Sequence, residues 1–368
     1  MPETFEIFLV AMPGLEVPLL AEAQSVGFTS ARIEPGGVAF NGTWHDVWRA
    51  NLQMRGAGRV LVRFAHFRVT HLAQLDKKAR GLDWSAILRA DVPVRVEATC
   101  RKSKIYHSGA AAQRVETAIA EELGAPVSSD AIVRVLVRID NDECTVSVDT
   151  SGEGLHKRGH KQAVNKAPMR ETLAALFLRQ CGYEGQEPVV DPMCGSGTFV
   201  IEAAEIAVGL PAGRARHFAF EKLAGFDPTR WDNLRSQYKP SSTDLTFYGS
   251  DRDAGAIAMS IANAERAGIS ERTQFSQKPV EALERPDSPT GLVIVNPPYG
   301  LRIGDRKKLY PVYGALGQVL QSRFSGWRVG LITADPSLAR ATGLPFEKPG
   351  RTVDNNGIRI ALYRTKAL

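Results

Sequence analysis

Cysteine is scarce in this chain, and its few copies do not pair. Cys100, Cys144, Cys181 and Cys194 show no paired spacing, which argues against a disulfide framework and a zinc site and fits a reducing cytoplasm. No apolar run reaches transmembrane length, and the start of the chain carries no signal-peptide pattern. A cytoplasmic protein that holds no metal and meets no membrane is therefore expected. Nucleotide signatures are missing as well. No Gly-Lys-Ser/Thr stands ready for a phosphate, and the one glycine-rich loop that follows a strand breaks the Gly-x-Gly-x-x-Gly fingerprint.

What is present is an ordinary globular composition. Of 368 residues, 43% are hydrophobic and 23% charged, enough chain for two or three domains and a large core. The charge is uneven. Residues 1–150 hold 17 Lys+Arg against 18 Asp+Glu, and the remainder holds 29 against 22, within a net charge of +6. A polyanionic partner is consistent with that excess, and so is a merely basic enzyme.

The chain is organised around residues 188–205. Val189 and Val190 end an apolar run that reads as a buried strand, with Asp191 at its carboxyl end. Gly195, Ser196 and Gly197 make a tight loop, and Thr198 to Ala207 carries apolar residues at helical spacing. Strand, small-residue turn and helix N-terminus together form the cofactor cradle of an open parallel sheet. Gly197 is followed by Thr198, Phe199 and Val200, so this is not a dinucleotide site. An acid before Gly-Ser-Gly suits a ligand with a positive centre and no phosphates, such as S-adenosylmethionine. An ordinary strand-to-helix turn is the plain alternative.

A second stretch, residues 292–300, carries more chemistry. The apolar run Leu292 to Val295 again reads as a buried strand, and Asn296-Pro297-Pro298-Tyr299 stands at its end. The prolines stiffen the backbone and remove donors. What remains is an amide, exposed carbonyls and one aromatic face, a set that suits an amino group on a flat ring. The Asn296 side-chain carbonyl and the Pro297 backbone carbonyl can accept its two N–H protons while Tyr299 stacks on the base. A Pro-Pro turn after a strand is the alternative for this stretch taken alone.

With both loops present, the sequence resembles the class I amino-methyltransferases of nucleic-acid bases, and more narrowly the bacterial THUMP-containing RNA guanine-N2 methyltransferases. Pro13-Gly14-Leu15-Glu16, Ser103-Lys104-Ile105-Tyr106 and Leu155-His156-Lys157-Arg158-Gly159-His160 follow in the family's order. The resemblance implies an α/β protein. A ferredoxin-like module (1–69) and a THUMP domain (70–152) precede a Rossmann-like class I methyltransferase domain (153–368). It implies S-adenosylmethionine held by Glu171, Asp191, Pro192, Cys194, Gly195, Ser196, Gly197, Thr198, Phe199, Asp251, Arg252, Gln277 and Asn296. Asn296, Pro297, Pro298 and Tyr299 would act on the base. RNA contacts are expected at Arg101, Lys102 and Lys104, at Lys157, Arg158 and Lys161 in the glycine-bearing linker 151–168, and at Arg302 and Arg306. By the same resemblance Cys194 is structural and the product is N2-methylguanosine, with 23S rRNA favoured; a monomer is expected. Transfer RNA, adenine-N6 methylation and a non-catalytic RNA-binding assembly factor remain as rivals.

Local patterns fill in the rest. Alternation over Phe5–Ala11 and Arg59–Val69 predicts strands, and Asn141-Asp142 predicts a hairpin turn between strands 132–140 and 143–149. Helices are expected over Gln113–Leu123, Ala254–Ala267 and Leu309–Ser322. Residues 209–245 read as an insertion whose aromatics serve core packing or a base-facing surface. The insertion explains why Asp251 follows Asp191 by about 60 residues instead of the ~20 of a compact Rossmann unit.

Overall fold

The computed structural model describes residues 4–162, 169–299 and 303–368, the last without side chains at 303–306. The first half opens with β1 (Phe5–Val10), α1 (Glu16–Ser25), β2 (Arg32–Glu34), β3 (Gly37–Gly42), α2 (Trp44–Gln53) and β4 (Val60–Arg68). These four strands lie antiparallel in the order β2-β3-β1-β4, the ferredoxin-like arrangement. Next come α3 (Leu72–Arg80), β5 (Val94–Arg101), α4 (Ser108–Leu123), β6 (Val133–Asp140) and β7 (Glu143–Asp149). β7 pairs antiparallel with β4, so both modules share one seven-stranded sheet, β2-β3-β1-β4-β7-β6-β5. The hairpin turn is as expected: Asn141 and Asp142 both take positive φ, 53° and 67°, which these short polar residues tolerate.

The second half comprises α5 (Glu171–Gln180), β8 (Val189–Asp191), α6 (Thr198–Val208), α7 (Pro228–Ser236), β9 (Phe247–Asp251), α8 (Ala254–Ala267), β10 (Thr273–Gln277), β11 (Leu292–Val295), α9 (Ile303–Arg323), β12 (Arg328–Thr333), α10 (Pro336–Ala341), β13 (Val353–Asn355) and β14 (Ile358–Arg364). Its sheet order is β10-β9-β8-β11-β12-β14-β13, parallel from β10 to β12, with β14 antiparallel to β12. Val190, Val293, Val295 and Leu331 from the sheet pack with Tyr313, Leu316, Leu320 and Phe324 of α9 and the following turn. Each such side chain contributes roughly 1.5–3 kcal/mol by leaving water.

Two compact units result, and they are not contiguous in sequence. One holds residues 1–11, 23–155 and 216–237, the other 12–22, 156–215 and 238–368. The expected insertion therefore belongs largely to the first unit. There Phe218 stacks on Phe220 with centroids 5.1 Å apart, and Trp231 meets both edge-on. All three are buried, so these aromatics are core rather than a base-facing surface. Two helices start earlier than periodicity predicts. α4 begins at Ser108, capped by the His107 ring, which accepts from Ala110 N at 3.0 Å. α9 begins at Ile303, six residues before the expected Leu309, and runs through Pro311.

Candidate active site

Three buried strands deliver three polar residues to one end of the second sheet. Parallel pairing of β8 with β9 and β11 sets Asp191, Asp251 and Asn296 at their carboxyl ends, where open α/β sheets bind ligands. Asp191 is 2% exposed, and its carboxylate accepts from Met193 N at 3.0 Å. Burial pushes this carboxyl up to about 8; the Met193 amide opposes the rise and the Asp251 charge adds to it. Asp251 accepts from Gly195 N and Asp253 N, each at 3.0 Å.

The loop between β8 and α6 is fixed on all sides. Cys194 N donates to Ser250 O at 2.9 Å, and Gly197 N to Cys194 O at 2.8 Å. Ser260 Oγ donates to Gly195 O at 2.9 Å, and Asn263 Nδ2 to Ser196 O at 3.0 Å. Gly197 takes φ +82°, and a Cβ there would come within 3.1 Å of Ser260 Oγ. Gly195 is different: at φ +56° its missing Cβ would point into open space. The backbone is thus bare where a ligand approaches and filled where the protein packs. Pro192, Ser196, Thr198 and Phe199 are buried around this loop. The Cys194 thiol is buried too, and burial together with the Asp191 carboxylate pushes its pKa up, which suits a packing role and not a nucleophile.

Beside this cradle Asn296 presents a buried Oδ1 with no hydrogen-bond partner among the described residues. An orphaned buried acceptor costs roughly 1–3 kcal/mol, so it stands ready for a donor. Pro297 is buried and Pro298 exposed. Tyr313 of α9 holds the turn, its hydroxyl 3.3 Å from Pro298 O and 3.3 Å from Thr333 Oγ1. Tyr299 is half-buried and packs against the core of this unit, so only part of its ring is open to a base. Nothing in the sequence singles out Tyr313, Ser260 or Asn263, which sit on helices without motif spacing.

Other expected positions fall as follows. Glu171, at the start of α5, is 5% exposed. Arg252 is exposed, and Gln277 donates from Nε2 to its carbonyl at 3.2 Å, so Gln277 steadies the loop after β9. Arg101, Lys102, Lys104 and Lys157 are exposed. Two basic residues expected to meet RNA are not on the surface. Arg158 is 2% exposed and lies 3.3 Å from Glu202. Lys161 has a side chain 8% exposed that reaches Glu171, Thr198 and Met169. The stretch 151–162 is accordingly no solvated linker, because buried carboxylates on α5 and α6 draw its cations inward. Arg302 lies outside the described residues, as does the side chain of Arg306.

The sheet order, the acid-tipped β8 and β9 and the bare-backed glycine loop define a class I methyltransferase. A positive ligand fits the two acids that end β8 and β9, beside a loop with no phosphate-binding lysine. The RMKL-like methyltransferase domain model matches residues 158–357, preceded by matches to the RlmL ferredoxin-like domain at 6–61 and to a THUMP domain at 69–149. The chain belongs to the RMKL-like methyltransferases in their THUMP-bearing form, enzymes that use S-adenosylmethionine and act on nucleic acid.

Solved structures agree along the whole length. A "possible methylase" of Clostridium difficile 630 is 27% identical with a TM-score of 0.91, covering 99% of this chain and 98% of its own. A "predicted N6-adenine-specific DNA methylase" of Listeria monocytogenes is 30% identical with a TM-score of 0.91, covering 99% and 97%. SMU.472, a methyltransferase-like protein complexed with SAH, is 26% identical with a TM-score of 0.89, covering 100% and 99%. Among the described residues no helix is long and apolar enough to cross a membrane.

Proposed function

We propose that this enzyme methylates the exocyclic N2 of a guanine in RNA, with 23S rRNA as the substrate. The observation that carries the reading is the partnerless, buried Asn296 Oδ1 at the rim of the cofactor cradle. An amine conjugated to a purine ring is a poor nucleophile. Asn296 Oδ1 and the Pro297 carbonyl accept its two N–H protons and favour a pyramidal nitrogen whose lone pair faces the donor. S-adenosylmethionine supplies an electrophilic methyl on a sulfonium. Asp191, Asp251, Glu171 and the loop 192–199 hold it in line, so catalysis is mostly positioning. The target base leaves its stack to enter, and Tyr299 offers its open ring face.

In this reading the THUMP domain, residues 70–152, engages the RNA through Arg101, Lys102 and Lys104. Residues 153–368 carry the chemistry, and the protein works as a cytoplasmic monomer. The RlmL-type front module supports ribosomal RNA over transfer RNA. One observation favours a second reading: Asn-Pro-Pro-Tyr serves an adenine N6 amine equally well, and the Listeria relative carries that name.

The deciding experiment digests 23S, 16S and transfer RNA from a strain lacking the protein and quantifies methylated nucleosides by mass spectrometry. Loss of N2-methylguanosine from the 23S fraction alone is expected. Loss from transfer RNA alone, or an N6-methyladenosine deficit, would replace the substrate or the base. Asn296→Ala should lower kcat by about a hundredfold or more. If the variant restores the missing nucleoside in the deletion strain as well as wild type does, the amide has no part in the chemistry.

A further inference from the structure

The interior position of Lys161 has a use in the cofactor site. Its ammonium donates to Met169 O at 2.7 Å and to Thr198 Oγ1 at 2.9 Å, and it lies 3.3 Å from Glu171 Oε1. An ammonium has three donors and no acceptor, so these three oxygens satisfy it. The partners come from two elements. Met169 lies just before α5 and Glu171 is its first residue, and Thr198 is the first residue of α6, directly after the Gly195-Ser196-Gly197 loop. One point charge therefore pins the start of α5 to the start of the cofactor helix.

Two buried charges survive only when paired and fully hydrogen-bonded. Side-chain exposures of 8% for Lys161 and 7% for Glu171 put both in that regime. Burial raises the Glu171 pKa, and the Lys161 charge opposes the rise without cancelling it. A carboxylate paired with one cation and fixed in direction at the start of α5, close to Thr198 at the end of the glycine loop, can receive a second cation on its free lone pairs.

We propose that Lys161 is a positioning residue for the amino-acid end of the cofactor, clamping Glu171 against Thr198 so that its carboxylate receives the ligand's α-ammonium. This rests on the reading above that Glu171 is among the residues that hold S-adenosylmethionine. Lys161 acts through Glu171 and not on the reacting atoms.

The test compares two ligands by calorimetry. S-adenosylhomocysteine carries the amino-acid end, and 5′-methylthioadenosine lacks it. Lys161→Met should weaken S-adenosylhomocysteine binding by about tenfold to a hundredfold and change methylthioadenosine binding by less than about threefold. Lys161→Arg should recover most of the loss. Thr198→Val, which removes one acceptor and leaves the ion pair, provides a milder check if Lys161→Met does not fold; its loss should again be confined to S-adenosylhomocysteine. Equal weakening of both ligands would reduce Lys161 to a packing role, and unchanged S-adenosylhomocysteine binding would remove it from the site; either overturns the proposal alone. Failure of the wild-type protein to bind either ligand would overturn the cofactor site together with it.

Discussion

Two basic stretches that look alike in sequence have opposite fates. Arg101-Lys102-Ser103-Lys104 is a surface loop, held by Asp142, whose carboxylate accepts from Lys104 N at 2.8 Å. Lys157-Arg158-Gly159-His160-Lys161 turns all but Lys157 and Gly159 toward the cofactor helix. There Arg158 meets Glu202, His160 lies 3.7 Å from Glu205, and Lys161 meets Glu171. The difference comes from the partner and not from the stretch. The first loop caps a hairpin whose acids are spent on backbone donors and nearby arginines. The second faces α6, where Glu202 and Glu205 are 1% and 0% exposed and have to be neutralised. Exterior cations answer to salt and to a polyanion, and interior ones answer to folding and to the ligand.

That contrast can be broken experimentally. The largest effect should come from Arg158→Met, which removes the cation from its buried ion pair with Glu202 and should cost about 3–5 kcal/mol of stability. Denaturant unfolding measures it, and adding Glu202→Leu should return most of the loss. An Arg158→Met protein as stable as wild type would mean the pair is not truly interior in solution. Next is the exterior. Removing Arg101, Lys102 and Lys104 together to alanine should weaken RNA binding about tenfold at low salt. It should also flatten the slope of log affinity against log salt by about two, with no shift in the unfolding midpoint. An unchanged salt slope would place the RNA elsewhere.

The smallest effect sharpens the interior side through pH. An acid held higher in the folded chain than in the unfolded one supports folding fully below its ordinary value. It gives that support up as pH rises through the folded value. For Asp191 the window runs from 3.8 to about 8. Asp191→Asn should therefore raise the melting temperature of the ligand-free protein by a few degrees more at pH 8 than at pH 5. Equal gains at both pH values would show that Asp191 is not held protonated.

Legibility in the sequence follows the same line between surface and interior. β8 and β11 could be read because a strand buried on both faces is a continuous apolar run. Asp191 and Asn296 stood out as the first polar residues beyond those runs. α8 was legible to the residue because Asp253 caps it, accepting from Gly255 N at 2.7 Å, and Gly268 ends it at φ +72°. β2 and β13, three residues each, are too short for any period to show. The start of α4 is Ser-Gly-Ala-Ala-Ala, which lacks large apolar residues, and its cap is a histidine. Arg158 and Lys161 were misplaced because glycine and lysine together look like a solvated linker. Only the tertiary partner, 44 residues away for Arg158, says otherwise.

The shared sheet of the first half has one more implication. β4 pairs with β1 on one side and β7 on the other, and the two family matches, ending at 61 and starting at 69, part company within or beside it. A chain severed there would leave β4, nine residues long, with a naked edge on one fragment, and β7, seven residues long, with another on the other fragment. Such edges recruit whatever extended chain is at hand. Each module is thus the other's cover, and the sheet of the first half is one structural unit across the boundary between the two matches.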